Sequence, residues 1–552
     1  MTATAAPAHA DLVVRNARVY TVDPQHPEAQ AFAVTGGRIA AVGTDAEAAA
    51  WTGPDTEVLD AGGRLVLPGF IDAHNHVRLG SDDACVQLAG ARTLTEVHAR
   101  IAAWRAGHPD AAWIEGEAFD YSAIPDGRMP CAADLDPVTG DTPAFILSYD
   151  VHTAWLNTAA LRRLGITRDS GTLPFGEPEK DPRTGEPTGF IRDFAVRGLS
   201  RDGHRALQEF GVPWACADRQ YGRLARSLDD AIRFGITTVV EPQNSLDDLA
   251  LFTRARAEGR LRSRIVAALF HPRGTGDAEL DDFAAAAERF ADDRLRVGPL
   301  KLYIDDVVEP RTAALLQPYA GCGHHRGETF YPAEEFAELL AKLDARGFQC
   351  FVHATGDRGV RTVLDAVAHA RAVNGARDAR HQVVHVECLD PADTARFAEL
   401  GVVACMQPRH CAPEIAGPGQ DWAENVGPER WHKAWPMRSL SEAGAVLAFS
   451  SDWNVAEMDP MVGIYTAVTR RPLGGGEPWM PGETVDVAAA VHGYTMGSAY
   501  ANFLEQERGS LTPGKLADFV VLSRDILSAA PEDIPGTVAE LVVVGGEVVH
   551  RA

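Results

Sequence analysis

The chain has 552 residues, of which 45% are hydrophobic and 23% charged, and its formal net charge is −25. This length admits several ordinary domains or one elaborated α/β barrel, with ample apolar material for a core. The acidic balance is spread along the chain, which favours solubility and argues against nucleic acid or an anionic membrane as a partner.

The opening, MTATAAPAHADLVVRNARVY, lacks both a basic n-region and an apolar h-region, so no signal peptide is expected. No apolar run approaches the ~20 residues that a membrane helix needs. The eight cysteines are scattered without a CxxC pair, which suits reduced thiols in a chain too large to need disulfide staples. A soluble, cytoplasmic protein is the expectation.

The first segment reads as short strands, DLVVRNARVYTV, AFAVTGGRIAAVG and TEVLDAGGRLVLPG, with TGGR and AGGR as hairpin turns between them. The far end, GSLTPGKLADFVVLS and VAELVVVGGEVVHRA, has the same texture. Residues 1–65 and 505–552 are therefore expected to build one small β-sandwich domain from both termini. Between them, 66–504 alternates apolar strands with helices rich in Ala, Leu and Arg. ARSLDDAIRFGITTVVEP reads as helix, turn and strand, LRVGPLKLYIDD as a strand, and AEEFAELLAKLDARGFQCFVHATGD as helix then strand. ARHQVVHVECL is a further strand, and PADTARFAELGVVACMQP and RSLSEAGAVLAFSSDWN repeat the helix–Gly–strand pattern. Such alternation predicts an α/β fold with a parallel sheet, closed as a (β/α)8 TIM barrel. Residues 112–200 interrupt the rhythm with stretches rich in Pro, Gly and Asp around a helical HTAWLNTAALRRLG. They are expected to form an insertion covering the barrel mouth.

Polar residues recur at one place in each unit. In LVLPGFIDAHNHVRLG an apolar strand ends in His74 and His76, spaced to share a face. His353 ends FQCFVH, His385 ends QVVH, Asp452 ends VLAFSSD, and Lys301 lies inside VGPLKLYI. Strand C-termini of a parallel barrel meet on one face, so four histidines and an aspartate would converge there. Imidazole nitrogen with carboxylate oxygen suits Zn2+, and also Mn2+, Fe2+ or Ni2+. The chain has five lysines in all: Lys180, Lys301, Lys342, Lys433 and Lys515. One inside an apolar strand must be neutralised or paired. Either CO2 carbamylates Lys301 into a carboxylate that bridges two ions, or the amine forms a salt bridge to Asp305, Asp306 or Glu309.

The stretches LPGFIDAHNH, LSYDVHTAWLNTAAL, GEPTGFIRD, LKLYIDD, VHATGDRG, RHQVVHVE, MQPRH, SSDWNVAEMDP and GSLTPGKLADFVVLSRD carry a resemblance over nearly the whole length. The chain resembles the amidohydrolase superfamily, in its amidohydrolase-3 or YtcJ-like branch, and is similar to N-substituted formamide deformylases. The resemblance implies a metal-bearing barrel with a β domain from both termini, and metal positions at His74, His76, Lys301, His353, His385 and Asp452. Three departures bear on substrate choice: Asp306 where Gly is usual, Asp193 where Glu is usual, and SSDWN in place of Gly-Ser-Asp-Trp-Pro.

The expected chemistry is hydrolysis of a C–N bond in an N-acyl or N-formyl amine or a cyclic amide. A bound divalent ion lowers the pKa of its water from about 15.7 toward about 7. Asp452 would accept the water proton and pass it to the leaving amine. An ester or lactone would use the same machinery, and a non-hydrolytic lyase or isomerase is the more distant alternative. One or two ions, zinc first among the candidates, would bind according to the state of Lys301. His74 and His76 would then hold one ion, and His353 and His385 the other. Trp155, Trp435 and Trp453 are expected as an aromatic wall, and His152, Gln407, His410 and Arg438 as contacts for polar substrate groups. The expected partner is a small-molecule substrate, and a homodimer is the assembly left open.

Overall fold

The structure is a computed structural model that describes residues 9–80, 82–125 and 128–552. Residues 1–8 of the expected terminal β segment lie outside the described residues. Eight strands form one parallel sheet in sequence order. They are β1 (Phe70–Asp72), β2 (Ile236–Asn244), β3 (Arg264–Phe270), β4 (Leu295–Tyr303), β5 (Cys350–Ala354), β6 (Gln382–His385), β7 (Val403–Met406) and β8 (Leu447–Phe449). Hydrogen bonds from Ala73 N to Phe449 O (3.3 Å) and from Asp452 N to His74 O (2.8 Å) join β8 to β1 and close the barrel. The fold is the expected TIM barrel.

Strand alternation explains what the barrel points inward. On β4, Leu300 and Leu302 pack in the large core shared with the helices, whereas Lys301 and Tyr303 belong to the other face. On β5, Val352 joins that helix-side core and Phe351 packs with Ala73, Val384 and Cys405 inside the barrel. His353 follows Phe351 by two residues and so faces inward as well. On β6 the register differs: Val383 faces the helices and Val384 the interior. Alternation alone would send His385 outward, but its backbone is left-handed (φ 78°), as is that of Val386 (φ 48°). That turn returns the imidazole to the barrel mouth.

The terminal segments form two sheets. One runs in the order Arg38–Gly43, Ala31–Thr35, Leu12–Arg15, Glu57–Asp60. The other runs Glu547–Arg551, Ala539–Val544, Phe519–Leu522, Leu65–Pro68, Arg18–Tyr20, Glu28–Ala29, mixing both ends of the chain. Val14, Phe32 and Val34 of the first sheet share a core with Val66, Phe519 and Val543 of the second. The TGGR turn is a hairpin, with Gly36 and Gly37 both left-handed (φ 58° and 73°). AGGR is not: Glu57–Asp60 pairs with Leu12–Arg15, while Leu65–Pro68 pairs in the other sheet. Two glycines permit a reversal, but there the chain uses them to change sheets.

Between β1 and β2 the chain builds a separate six-stranded sheet from strands lying between Val86 and Arg192. HTAWLNTAALRRLG is not helical throughout. Ala154–Leu156 is a strand of this sheet, and the helix Thr158–Arg163 starts after Asn157, whose side chain accepts from Ala160 N (2.8 Å). The turn that precedes this strand brings His152 against His353, with ring centroids 5.4 Å apart. No helix of the described residues is long and apolar enough to cross a membrane.

Candidate active site

The strand ends bring His74, His76, His385 and Asp452 together. Nε2 of His74 and of His76 lie 3.2 and 3.3 Å from Asp452 Oδ1, and His385 Nδ1 lies 3.7 Å from Asp452 Oδ2. His353 joins them, its ring 4.5 Å from that of His385. All five side chains are buried. Despite these distances, both ring nitrogens of His74, Nδ1 of His76 and Oδ1 of Asp452 make no hydrogen bond. Buried polar atoms are normally satisfied. An orphaned set of imidazole and carboxylate atoms therefore fits a divalent cation. Ligand atoms of His74, His385 and Asp452 lie within 4.8 Å of one another, and so do those of His385, Glu387 and His410.

The electrostatics agree with a ligand set. Burial, with Lys301 next, pushes His74 down to about 3. Burial also holds His76, His353 and His385 below the ordinary imidazole value. Neutral imidazoles are the form that binds metals. Burial opposes ionisation of Asp452, but His74, His76 and His385 beside it hold its carboxyl well below the usual range.

Neighbouring groups orient these rings. Gln407 Oε1 lies 2.9 Å from His385 Nδ1, and the Gln407 amide donates to Ser450 Oγ at 2.9 Å. That arrangement assigns the proton to Nδ1 and leaves Nε2 of His385 its lone pair. His353 Nε2 faces the backbone oxygen of Asp306 at 3.1 Å, so there the lone pair sits on Nδ1. Asp72 accepts from Ser451 N (2.9 Å), Ser451 Oγ (2.6 Å) and Asn75 Nδ2 (2.9 Å), tying the His74 loop to the Asp452 loop. Asp452 itself is left-handed (φ 57°), a conformation that a non-glycine residue keeps only where its surroundings enforce it.

Lys301 Nζ lies 4.7 and 5.4 Å from the ring centroids of Tyr303 and Phe351. Burial pushes its amine down to about 8. The salt-bridge alternative is not formed by the two aspartates. Asp305 is held by backbone N–H groups of Ala314, Thr355 and Gly356 (3.0, 3.0 and 2.9 Å). Asp306 accepts from His152 Nδ1 and from Thr312 Oγ1.

A cavity opens over the cluster, bounded by His152, His353, His385, His410, Trp435 and Asp452 among others. A smaller one reaches Lys301, His74 and His76 and shares His152 and Asp452. Of the expected substrate contacts, His152, His410 and Trp435 line the larger cavity, and Gln407 supports it from beneath. Three lie elsewhere. Trp155 is fully buried in the inserted sheet, where its Nε1 donates to Cys131 O (2.8 Å). Trp453 Nε1 donates to Ser227 Oγ (3.2 Å), and exposed Arg438 donates to Thr484 O (3.0 Å). Large aromatic side chains and long cations also serve to fasten loops, and these three do so.

Sequence reasoning passed over Glu387, Asp150 and Glu241, and named Glu309 only as an alternative ion-pair partner of Lys301. Glu387 follows His385 by two residues, the same spacing that singled out His74 and His76. Glu241 is an acid inside the apolar β2, as Lys301 is a base inside β4. Its Oε1 stands 4.0 Å from His76 Nδ1, and its Oε2 stands 3.3 Å from Arg78 Nε. Asp150 and Glu309 lie in loops and left no pattern to read.

Comparison with known proteins agrees with this geometry. The model described as "Amidohydrolase family" matches residues 57–550. The chain is 30% identical over 539 residues to the N-substituted formamide deformylase of Arthrobacter pascens, covering 95% of both chains. It is 29% identical to the Protein LONG AFTER FAR-RED 3 of Arabidopsis thaliana, over 97% of this chain and 91% of that one. It is also similar to the crystal structure of an uncharacterized metal-dependent hydrolase from Pyrococcus furiosus. There the TM-score is 0.68 and the identity 25%, over 94% of this chain and 100% of that one. The chain belongs to the amidohydrolase family, enzymes that hydrolyse carbon–nitrogen bonds other than peptide bonds.

Proposed function

We propose that the protein is a zinc-dependent hydrolase of N-acyl or N-formyl amines or of cyclic amides. The observation that carries this reading is the buried, unsatisfied donor set of His74, His76 and Asp452 beside the neutral rings of His353 and His385. In this reading His74, His76 and Asp452 would hold one ion, and His353 and His385 would hold a second where a carbamylated Lys301 supplies a further carboxylate. A bound divalent ion supplies Lewis acidity, ionising water near neutral pH and polarising a scissile carbonyl. Asp452, ringed by imidazoles, takes the proton of the attacking water and delivers it to the leaving nitrogen, which must depart protonated. His152 is tethered through Nδ1 to Asp306. Its Nε2 is then the atom that orients the acyl oxygen. Similarity to a formamide deformylase over 95% of both chains supports formyl among the acyl groups.

Metal analysis combined with a panel of N-formyl amines, N-acyl amines, cyclic amides and lactones tests this. One to two equivalents of zinc are expected, with C–N turnover lost on chelation and restored by zinc. Full activity in exhaustively metal-free protein would overturn the reading.

A further inference from the structure

We infer that the cavity over the candidate site accepts a substrate bearing a positive charge, an ammonium or amidinium group, held by the carboxylates of Glu309 and Glu387. The inference rests on the hydrolase reading above and specifies its substrate class.

Asp150, Glu309 and Glu387 line the cavity together with Asp452. Among the described residues no lysine or arginine lines it, and the imidazole there that is raised above its ordinary value, His152, is paired with Asp306. Glu387 is 6% exposed. Its Oε2 accepts from Trp422 Nε1 at 3.0 Å and its Oε1 stands 3.9 Å from His410 Nδ1. The carboxylate of Glu309 bonds to its own backbone N–H and has no ion-pair partner among the described residues. Burial, then the charge of Glu387, pushes Glu309 well above the usual carboxyl range. That shift favours the protonated acid, and a cation seated beside Glu309 would draw it into the ionised form that pairs with the guest.

A second observation also points to a ligand. Nε1 of Trp435 and Nε2 of His410, in residues 1% and 8% exposed, have no hydrogen-bond partner, and both residues line the same cavity. The rings of Trp435 and Tyr149 add aromatic faces, which attract cations. The approach is acidic too. An outer vestibule shares Tyr149, Glu309 and Val455 with the cavity and is lined by Asp120, Glu414 and Asp421. Its one basic side chain among the described residues, Arg92, pairs with Asp120 at 2.7 Å. Glu414 pairs with Arg409 at 2.6 Å, which leaves Asp421 and Glu309 as the acids there without an ion pair among the described residues. Acid-lined entrances concentrate cations and speed their arrival.

The test uses the metal-loaded protein and two ligands of matched shape, 4-phenylbutylammonium and 4-phenylbutanol, with binding followed by calorimetry. At low salt the ammonium is expected to bind at least tenfold more tightly, an advantage that shrinks as salt is raised. Glu309→Gln should bring the two affinities within about threefold of each other. Equal affinities in the unaltered protein, or no binding of either at millimolar concentration, overturns the inference. So does ammonium binding that appears only after chelation, since Glu387, His410 and His385 would then hold a metal ion. The hydrolase reading is judged separately, by turnover of N-(4-aminobutyl)formamide against N-pentylformamide. Turnover of neither, with the ammonium preference intact, removes the formamide hydrolase and leaves the cation subsite standing.

Discussion

At the scale of single residues, the candidate site is a problem of placing lone pairs. Gln407 and the backbone of Asp306 each take one ring proton, so His385 and His353 keep opposite nitrogens free. Asp452 is the group whose chemistry cannot be supplied by shape alone. Asp452→Asn preserves size but removes the proton acceptor, and a positioned base contributes roughly 10²–10⁴ in rate. We expect kcat to fall by about that factor while most zinc stays bound, as read by steady-state kinetics and elemental analysis on the same sample. Unchanged kcat would remove Asp452 from the role of base. Lys301 decides the number of ions. Lys301→Ala should lower the metal content from near two equivalents to one or none, and Lys301→Glu should restore part of it, because Glu again supplies a carboxylate. Two full equivalents in Lys301→Ala would refute the bridge. Both positions were legible in the sequence for the same reason: a polar residue at the end of, or inside, an apolar strand has few structural uses. His152 was legible only as a polar group near the mouth. Its tether, Asp306, lies 154 positions away and follows from folding rather than from spacing.

At the scale of elements, period-two alternation carried most of the reading and failed where the backbone leaves the strand region. The inward set on β4 and β5 follows from the pattern, whereas His385 needs a left-handed turn that residue identity does not announce. The helix–strand units of the barrel were readable because each couples a helical apolar stripe to a short apolar run. The exception was β3, whose run sits between arginines and was passed over. These units are fastened below the barrel by Asp344, near the end of the helix Ala333–Ala345. It faces His381 Nε2 at 3.2 Å and accepts from Asn374 Nδ2 at 2.8 Å and Arg377 Nε at 2.6 Å. The bond from His381, against the opposing effect of burial, holds this carboxyl below its ordinary value, with Asn374 and Arg377 adding to it. A depressed folded-state pKa gives stability that is complete above the unfolded value of about 3.9 and is lost as pH falls through the folded one. Asp344→Asn should therefore lower the melting temperature at pH 7 and flatten its decline on the acid side, below about pH 4. Melting temperatures for both proteins across the acid range check this. Parallel curves would exclude Asp344 as the source of the acid limb.

At the scale of the whole molecule, the terminal sheets are joined to the bottom of the barrel, opposite the face that carries the site. Gly69 N donates to Asp518 O at 2.9 Å, linking the lead-in to β1 with the C-terminal strands. Below β3 the joint is ionic. Arg264 donates from Nε and Nη2 to Asp518 at 2.7 and 2.8 Å, and Gly545 N adds a third bond to the same carboxylate at 2.7 Å. Both charged side chains are buried, Arg264 to 1% and Asp518 to 4% exposure. Forming such a pair from water gains little, but removing one partner strands the other charge in the interior, at a cost of about 3–5 kcal/mol. Asp518→Ala should therefore lower the unfolding midpoint by several degrees, with Arg264 left to Asp293 alone. Because the joint lies at the far end of the barrel from Asp452, kcat per folded molecule should stay within about twofold, since distant independent sites rarely couple. Replacing both partners by apolar residues of similar volume, in Arg264→Met with Asp518→Leu, should recover much of the lost stability, as uncharged replacements of buried pairs often do. A midpoint unchanged in Asp518→Ala would show that the terminal sheets hold to the barrel without this pair. A collapse of kcat with the fold intact would show that the bottom of the barrel controls the site at its mouth.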